Sequence, residues 1–271
     1  MSDAVESNRN DEDDLEPDWD PSVHRLPVWA TIGQALQAIA KEWKALLKAV
    51  AVPAVVVAVG NVVSNQEYME AVLPNYLAPI PPALLSAGFA MLIAISCHRL
   101  VILGVDSLPN AWGLFWSGRE TRFLGWSALI GGIPLVVASL FGVLRGLGLP
   151  LFSVDNGVPS LFVVMFFVLI PYTVYVVPRL SLVLPATAIG RRPTLKGSWR
   201  LSRSNGWRLA LVMLLPSLVL IPLSVGSLQL GGIAPQFLAA LILVLLGLIG
   251  IASLSKAFCW FTGEIEPSTP S

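Results

Sequence analysis

The chain has 271 residues, of which 55% are hydrophobic and only 13% are charged, and its mean hydropathy is +0.73. Soluble domains carry about 25% charged residues, so this composition excludes an ordinary soluble domain and favours a protein that lies mostly in lipid. The net charge is zero but unevenly divided. Residues 1–20 hold nine acidic residues and one basic residue, whereas the rest of the chain holds eight acidic and sixteen basic residues.

The first 26 residues are predicted to form a disordered cytoplasmic head, because they are acidic and poor in apolar side chains. They lack the basic start of a secretory signal peptide, so the first apolar segment is expected to act as an uncleaved insertion signal. The predicted domains are this head at 1–26, a membrane domain at 27–260 and a cytoplasmic tail at 261–271.

A first amphipathic helix is predicted within residues 31–44, where Ile32, Leu36, Ile39 and Trp43 recur at helical spacing. Such a helix is suited to lying in the membrane interface and leading into the first span. The alternative is a plain cytoplasmic extension of that span.

Six apolar segments without any Asp or Glu then follow along the chain. Each is long enough to cross a hydrocarbon core of roughly 30 Å, and each is expected to be a helix because lipid cannot satisfy backbone polar groups. The predicted fold is therefore an all-α polytopic membrane protein. The six predicted spans are 45–63, 83–105, 123–144, 159–187, 208–230 and 235–256.

The distribution of Lys and Arg predicts how these spans are oriented. Loops 64–82 and 231–234 have no Lys or Arg, whereas loops 106–122 and 188–207 are basic. The positive-inside rule places the basic loops and both termini in the cytoplasm, and a bacterial inner membrane is the expected location. All nine Trp residues fall on this predicted cytoplasmic side.

The basic loop before the fifth span predicts a short amphipathic helix over residues 194–205. Thr194 is placed to cap it, and Asn205-Gly206 can close its C-terminus. Lys196, Arg200 and Arg203 share one face at helical spacing. A basic face of this kind is suited to anionic lipid headgroups. The alternative is an ordinary positive-inside loop that only fixes topology.

Segments 98–126 and 178–207 resemble each other and predict a parallel internal repeat. Each has Arg-Leu near the end of a span, a basic loop containing Trp, and Gly-Trp opening the next span. The repeat predicts equivalent depths for Arg99 and Arg179, near the inner hydrocarbon edge. No span offers a carboxylate, so the predicted partners are the loop carboxylates of Asp106 and Glu120 or the phosphate of inner-leaflet lipid, with snorkelling to the interface as the alternative. The lipid-phosphate candidates of the whole chain are Arg99, Arg179, Arg191, Arg192, Lys196, Arg200 and Arg203.

The fourth span contains Pro171, Pro178 and Pro185 at a spacing of seven. Each proline removes a helical hydrogen bond and favours a kink. A proline-broken helix can line a cavity in a transporter, or it can be only structural.

The sequence lacks the residues that catalysis or metal binding needs. The only histidines are His24 and His98, one of which lies in the predicted head, and a single histidine cannot build a zinc site. Without span carboxylates, a catalytic triad or acid–base pair is also hard to build. We therefore expect no catalytic residue, no metal, no cofactor and no nucleic-acid partner.

Residues 179–216, RLSLVLPATAIGRRPTLKGSWRLSRSNGWRLALVMLLP, resemble a family of uncharacterised six-helix bacterial inner-membrane proteins. The resemblance extends to CHRLVILG at 97–104 and SLSKAFCWFTGE at 253–264. That family is distantly similar to the membrane domain fused to some glycerophosphodiester phosphodiesterases. Where the family usually has Trp and Glu, this chain has Cys97 and Val105. The resemblance implies a fold and a membrane but no established activity.

The expected function is therefore binding rather than catalysis. The basic cytoplasmic face is predicted to engage anionic lipid of the inner leaflet or a membrane partner. The alternative is a small-solute or lipid transporter that uses the proline-broken fourth span.

Overall fold

A computed structural model describes residues 24–64, 80–108, 116–146, 167, 169–228 and 232–263. Within these ranges the chain forms helices and turns, with no β-strand. The acidic stretch 1–20, the predicted outer loop from residue 65 and the tail after residue 263 lie outside the described residues.

Nine α-helices are described, and a 3₁₀ turn and a π-helical segment accompany them. The 3₁₀ turn Val105–Ser107 follows α3, and the π-helical segment Tyr172–Val176 precedes α5. In chain order the helices are α1 (Val28–Lys41), α2 (Trp43–Ser64), α3 (Ile80–Leu103), α4 (Gly118–Gly146), α5 (Val177–Leu180), α6 (Val183–Ala188), α7 (Leu195–Leu201), α8 (Gly206–Leu228) and α9 (Ile233–Phe261).

Five described stretches are long and apolar enough to cross a membrane by their length and composition, which confirms the all-α, multi-pass class. They match five of the six predicted spans. The sixth predicted span, residues 123–144, lies within α4, a helix of 29 residues that is about 43 Å long at 1.5 Å per residue. The five stretches are Trp43–Val62, Leu84–Leu103, Leu169–Ala188, Gly206–Gly226 and Ile233–Phe261.

The fourth span is interrupted, as its prolines predict. The π-helical segment lies between Pro171 and Pro178, where the missing N–H of Pro178 breaks the regular hydrogen-bond ladder. A turn at residues 181–182 then separates α5 from α6. The Ser181 hydroxyl donates to the Val177 carbonyl across 2.7 Å and supports this turn. The span is therefore built from short pieces rather than one straight helix.

Helix α9 is the central element, because it packs against α1, α2, α3 and α8. Its C-terminal part is densely buried, whereas Ile233, Leu238 and Leu241 near its start are exposed. The main core cluster of the described residues therefore lies at the C-terminal part of α9, at the end predicted to be cytoplasmic. The main core cluster contains Leu26, Leu182, Ala186, Leu201, Leu209, Val212, Leu254, Ala257, Phe258, Trp260 and Phe261.

The residues just outside the two predicted domain boundaries are packed into this core. Leu26 and Phe261 are each 0% exposed, although the sequence assigns them to the head and the tail. Helix α1 begins at Val28 and buries Thr31 and Ala35, packing against α9 and α8. Among the described residues, Leu26 and Phe261 therefore pack with the membrane domain, and the division into head, membrane domain and tail stays a prediction.

Candidate functional site

The buried guanidinium of Arg179 joins α5 to α7. Arg179 is only 3% exposed. Its Nε donates to Ser202 Oγ across 3.1 Å, its Nη1 donates to Tyr175 Oη across 3.1 Å, and its Nη2 donates to the Trp199 carbonyl across 2.8 Å. We call these four residues the arginine cage. Three of the five guanidinium N–H groups are thus accepted by the protein itself.

Aromatic rings supply the remaining surroundings of this charge. The Cζ of Arg179 lies 3.6 Å from the centroid of the Trp199 ring and 5.3 Å from that of Tyr175. The Tyr175 ring in turn lies 4.8 Å from the ring of Trp207. Within the described part of the chain, no carboxylate pairs with Arg179. The ring faces of Trp199 and Tyr175 and the dipoles of the three acceptor oxygens therefore stabilise the positive charge of Arg179.

Small residues allow α7 and α8 to approach Arg179 closely. The Ser198 hydroxyl donates to the Arg179 carbonyl, and Ser202 lies one turn further on. At Gly206, a Cβ would lie 3.1 Å from Arg179 Cδ and 3.1 Å from Tyr175 Cε2. Ser198 at the inner side of α7, Ser202 directly after α7 and Gly206 at the start of α8 thus provide small residues where the backbone approaches Arg179.

The basic side of α7 faces outward. Thr194 caps this helix as predicted, with its side chain accepting from Gly197 N across 3.0 Å. The helix ends at Leu201, four residues before the predicted end, and Arg203 lies in the following turn. Lys196, Arg200 and Arg203 are all exposed. We call these three residues the basic face.

Asn205, expected to close α7, instead holds the chain that precedes α1. Its Oδ1 accepts from Leu26 N across 2.9 Å, and its Nδ2 donates to the His24 carbonyl across 3.0 Å. Arg208 Nη1 donates to the Leu26 carbonyl across 2.9 Å. We call this arrangement the N-terminal latch. No sequence pattern indicates the latch, because its partners are about 180 positions apart.

Arg99 has a different environment from Arg179. Its Nε and Nη2 both donate to the Ser107 carbonyl, across 2.9 and 2.6 Å, and the residue is half-buried. The chain turns at Gly104, whose φ is +84°, a value that glycine adopts without strain. Arg99 therefore fastens the turn after its own helix. The structure does not bring it to the arginine cage, and the lipid-phosphate role of both arginines stays a prediction.

An open groove of about 740 Å³ lies between the start of α4 and the loop after α6. Arg122 and Arg192 at this groove are exposed, and Arg191 is half-buried with its Cζ 5.8 Å from the centroid of the Phe258 ring. Arg191 and Arg192 were predicted from the sequence as lipid-phosphate candidates, but Arg122 was not. Its position four residues before Trp126, and so on the same face of a helix, could have indicated it. We call this the α4 groove. Its lining is Gly118, Arg122, Gly125, Trp126, Leu129, Thr187, Arg191, Arg192 and Pro193.

The neighbouring Arg119 is held away from the groove lining by Glu120. Arg119 Nη2 lies 2.8 Å from Glu120 Oε1, and Glu120 also accepts from the backbone N and the hydroxyl of Ser117. Burial raises the pKa of the Glu120 carboxyl, but the hydrogen bonds from Ser117 and Arg119 outweigh it, so this pKa lies below its usual value. The carboxylate therefore stays charged at neutral pH and keeps Arg119 engaged.

His98 is buried, with 1% of its surface exposed. Its Nδ1 lies 2.7 Å from Ser255 Oγ, and its ring centroid lies 5.9 Å from that of Phe123. It therefore links α3 to α9 and packs on α4. Among the described residues, no three potential metal ligands come together.

These features define an all-α protein with several helices able to cross a membrane and a rigid, basic end. No protein-family model matches the chain, and no curated protein or solved structure matches it. The resemblance to the six-helix inner-membrane family therefore stays a prediction.

Proposed function

We propose that this chain is a six-span bacterial inner-membrane protein with both termini in the cytoplasm. The length of α4 supports it as the remaining span, and the basic loops at 106–122 and 188–207 support the orientation. Reporter fusions after Thr262 and near Glu70 test this topology. They should report cytoplasm and periplasm respectively, and one compartment for both would contradict the six-span arrangement.

We further propose that the protein binds anionic lipid headgroups with its cytoplasmic end and catalyses no reaction. The observation that carries this proposal is the fixed orientation of α7. Ser198, Leu201 and Ser202 on its inner side are buried, so the helix cannot rotate and its basic face stays outward. Each Lys or Arg near an anionic membrane surface contributes about 1 kcal/mol of attraction.

Helix α1 supports the same assignment. Its inner residues pack on α9, while Trp29 and Leu36 are exposed, as is Trp43 at the start of α2. Exposed tryptophan beside basic helices is typical of a surface that lies in the headgroup region. The basic face and α1 would then lie at one membrane surface.

The test uses the tryptophans, all nine of which are predicted to lie at this surface. Protein in bilayers should be quenched more strongly by brominated phosphatidylglycerol than by brominated phosphatidylcholine at equal mole fraction. The variant K196Q/R200Q/R203Q should lower this preference at least tenfold, since about 1.4 kcal/mol corresponds to a factor of ten. The control K196R/R200K/R203K keeps all three charges at the same positions and should retain most of the preference. An unchanged preference in the triple variant would contradict the proposal.

The transporter alternative stays a prediction. The structural feature that favours transport is the π-helical segment within the fourth span. Tyr175 of this segment, however, is packed on Arg179 and Trp207. A second cavity of about 150 Å³, lined by residues such as Asn61, Ile93 and Val244, lies among α2, α3 and α9 rather than at the π-helical segment.

A further inference from the structure

We infer that the α4 groove is a specific site for one anionic phospholipid of the inner leaflet. The inference rests on the proposed membrane orientation and deepens the proposed function. It concerns a site separate from the basic face, because no residue of that face lines the groove. It also adds Arg122, Trp126 and Leu129 as binding residues.

The order of residues along α4 matches the order of groups in a phospholipid. Gly118, Arg122, Gly125, Trp126 and Leu129 line the groove from one side. From Arg122 to Leu129 the helix rises about 10 Å, and over this distance the lining changes from cationic to aromatic to aliphatic. A phosphate beside Arg122 would thus place an acyl chain along Trp126 and Leu129.

The opposite wall adds two more arginines to the lining. Arg191 and Arg192 belong to the loop after α6, so three arginines line the groove. Arginine binds phosphate oxygens through a planar fork of N–H donors. Because Glu120 is engaged by Arg119 and Ser117 and is not part of the lining, the charge that the groove presents is strongly positive.

The groove is rigid, which a specific lipid site requires. Phe123 on the other side of α4 is 2% exposed and packs with Met91, Ile95 and Ala188 of α3 and α6. On the opposite wall, Thr187 is 1% exposed and its hydroxyl donates to the Val183 carbonyl. Both walls are therefore fixed to the core, and a volume of about 740 Å³ is preformed between them.

A phospholipid fits this groove better than free phosphate does. Free phosphate would use only the arginine end and would leave Leu129, 47% exposed, and the flank of Trp126 uncovered. A lipid covers both ends, and it is present at high local concentration wherever the protein is inserted. We therefore expect the groove to bind an amphiphile with an anionic headgroup.

The experiment measures phosphatidylglycerol retained by the full-length protein in detergent, counted by native mass spectrometry. Wild-type protein should retain one phosphatidylglycerol in preference to phosphatidylcholine. R122Q/R192Q should lower the affinity for that lipid at least tenfold, since it removes two charge-assisted contacts, and R122K/R192K should restore it in part. R25Q/K48Q is the charge-matched control and should retain the lipid.

A second variant, G125L, keeps every arginine and adds an aliphatic side chain between Arg122 and Trp126. A Cβ at Gly125 meets open space, and because Gly125 lines the groove, the rest of the leucine side chain is expected to occupy part of it. Lipid retention should fall in G125L while the thermal unfolding temperature does not. If both R122Q/R192Q and G125L retain the lipid, the inference is wrong. If G125L alone retains it and inorganic phosphate displaces it, the site binds phosphate without the chain, which also overturns the inference.

The two proposals fail separately. Loss of the retained lipid in K196Q/R200Q/R203Q but not in R122Q/R192Q would reject the groove and leave the basic face in place. Retention that depends on the groove, with no quenching preference that depends on the basic face, would reject the face and leave the groove.

Discussion

Segments 98–126 and 178–207 both contain Arg-Leu near their start and Gly-Trp at their end. The surroundings of Arg99 and Arg179 in these segments nevertheless differ. Arg99 makes both of its hydrogen bonds to one carbonyl, that of Ser107, eight residues further along. Arg179 binds three groups, two of which lie about twenty residues away on and beside α7. One arginine fastens a local turn, whereas the other fixes a separate helix.

The glycines that follow show the same contrast. Gly206 is crowded by Arg179 and Tyr175, whereas nothing lies within 4 Å of a Cβ at Gly125. The second region is therefore closed around its arginine, and the first leaves the face of α4 open as a groove. A similar sequence pattern thus gives a rigid support in one place and an accessible surface in the other. The parallel repeat itself stays a prediction.

The largest expected difference in stability is between variants of Arg179 and Arg99. R179Q removes three charge-assisted bonds, each contributing roughly 1.5–3 kcal/mol, and leaves buried acceptors without a donor. We expect the free energy of unfolding in detergent to fall by at least about 3 kcal/mol. R99Q loses bonds to one half-buried carbonyl and should cost about 1 kcal/mol. Chemical unfolding of both variants measures the difference, and equal losses would show that the cage contributes no more than the turn.

Much of the fold was predictable because lipid imposes long apolar segments. Five predicted spans match described helices or helical stretches to within a few residues at most ends. The prolines of the fourth span and the cap at Thr194 also predicted local structure correctly. These features depend on residues close in sequence, and so the sequence carries them.

The cage, the latch and the groove were not predictable, because they depend on which helices become neighbours. Arg179 was expected to pair with a loop carboxylate or lipid phosphate, or to snorkel to the interface, since no span carboxylate was present. Its actual partners are a tyrosine, a serine and a backbone carbonyl, groups too common to be read as a signal. Asn205 was interpreted as a helix end because Asn-Gly often marks one, yet its side chain binds the backbone near Leu26.

A smaller effect is expected at the N-terminal latch, which belongs to the closed region only. Deleting residues 1–20 should leave the free energy of unfolding within about 0.5 kcal/mol, as for other surface changes. Deleting residues 1–26 removes the fully buried Leu26 and the partners of Asn205, and should cost about 2–3 kcal/mol. N205A should reproduce about half of this loss. Unfolding curves of the two deletion variants, measured under the same conditions, test this prediction. Equal free energies of unfolding would show that the latch adds no stability.

The smallest expected effect compares the two glycines. G206A places a methyl group 3.1 Å from Arg179 Cδ and Tyr175 Cε2. Those atoms cannot easily yield, because the cage and the Trp207 ring hold both side chains, so overpacking should cost about 1–2 kcal/mol. G125A adds its methyl to open space and should gain up to about 1 kcal/mol, because alanine favours the helix. Unfolding of the two variants should therefore shift in opposite directions. If the free energy of unfolding changes in the same direction in both variants, the surroundings of the two glycines are packed alike and the closed and open regions are not distinct.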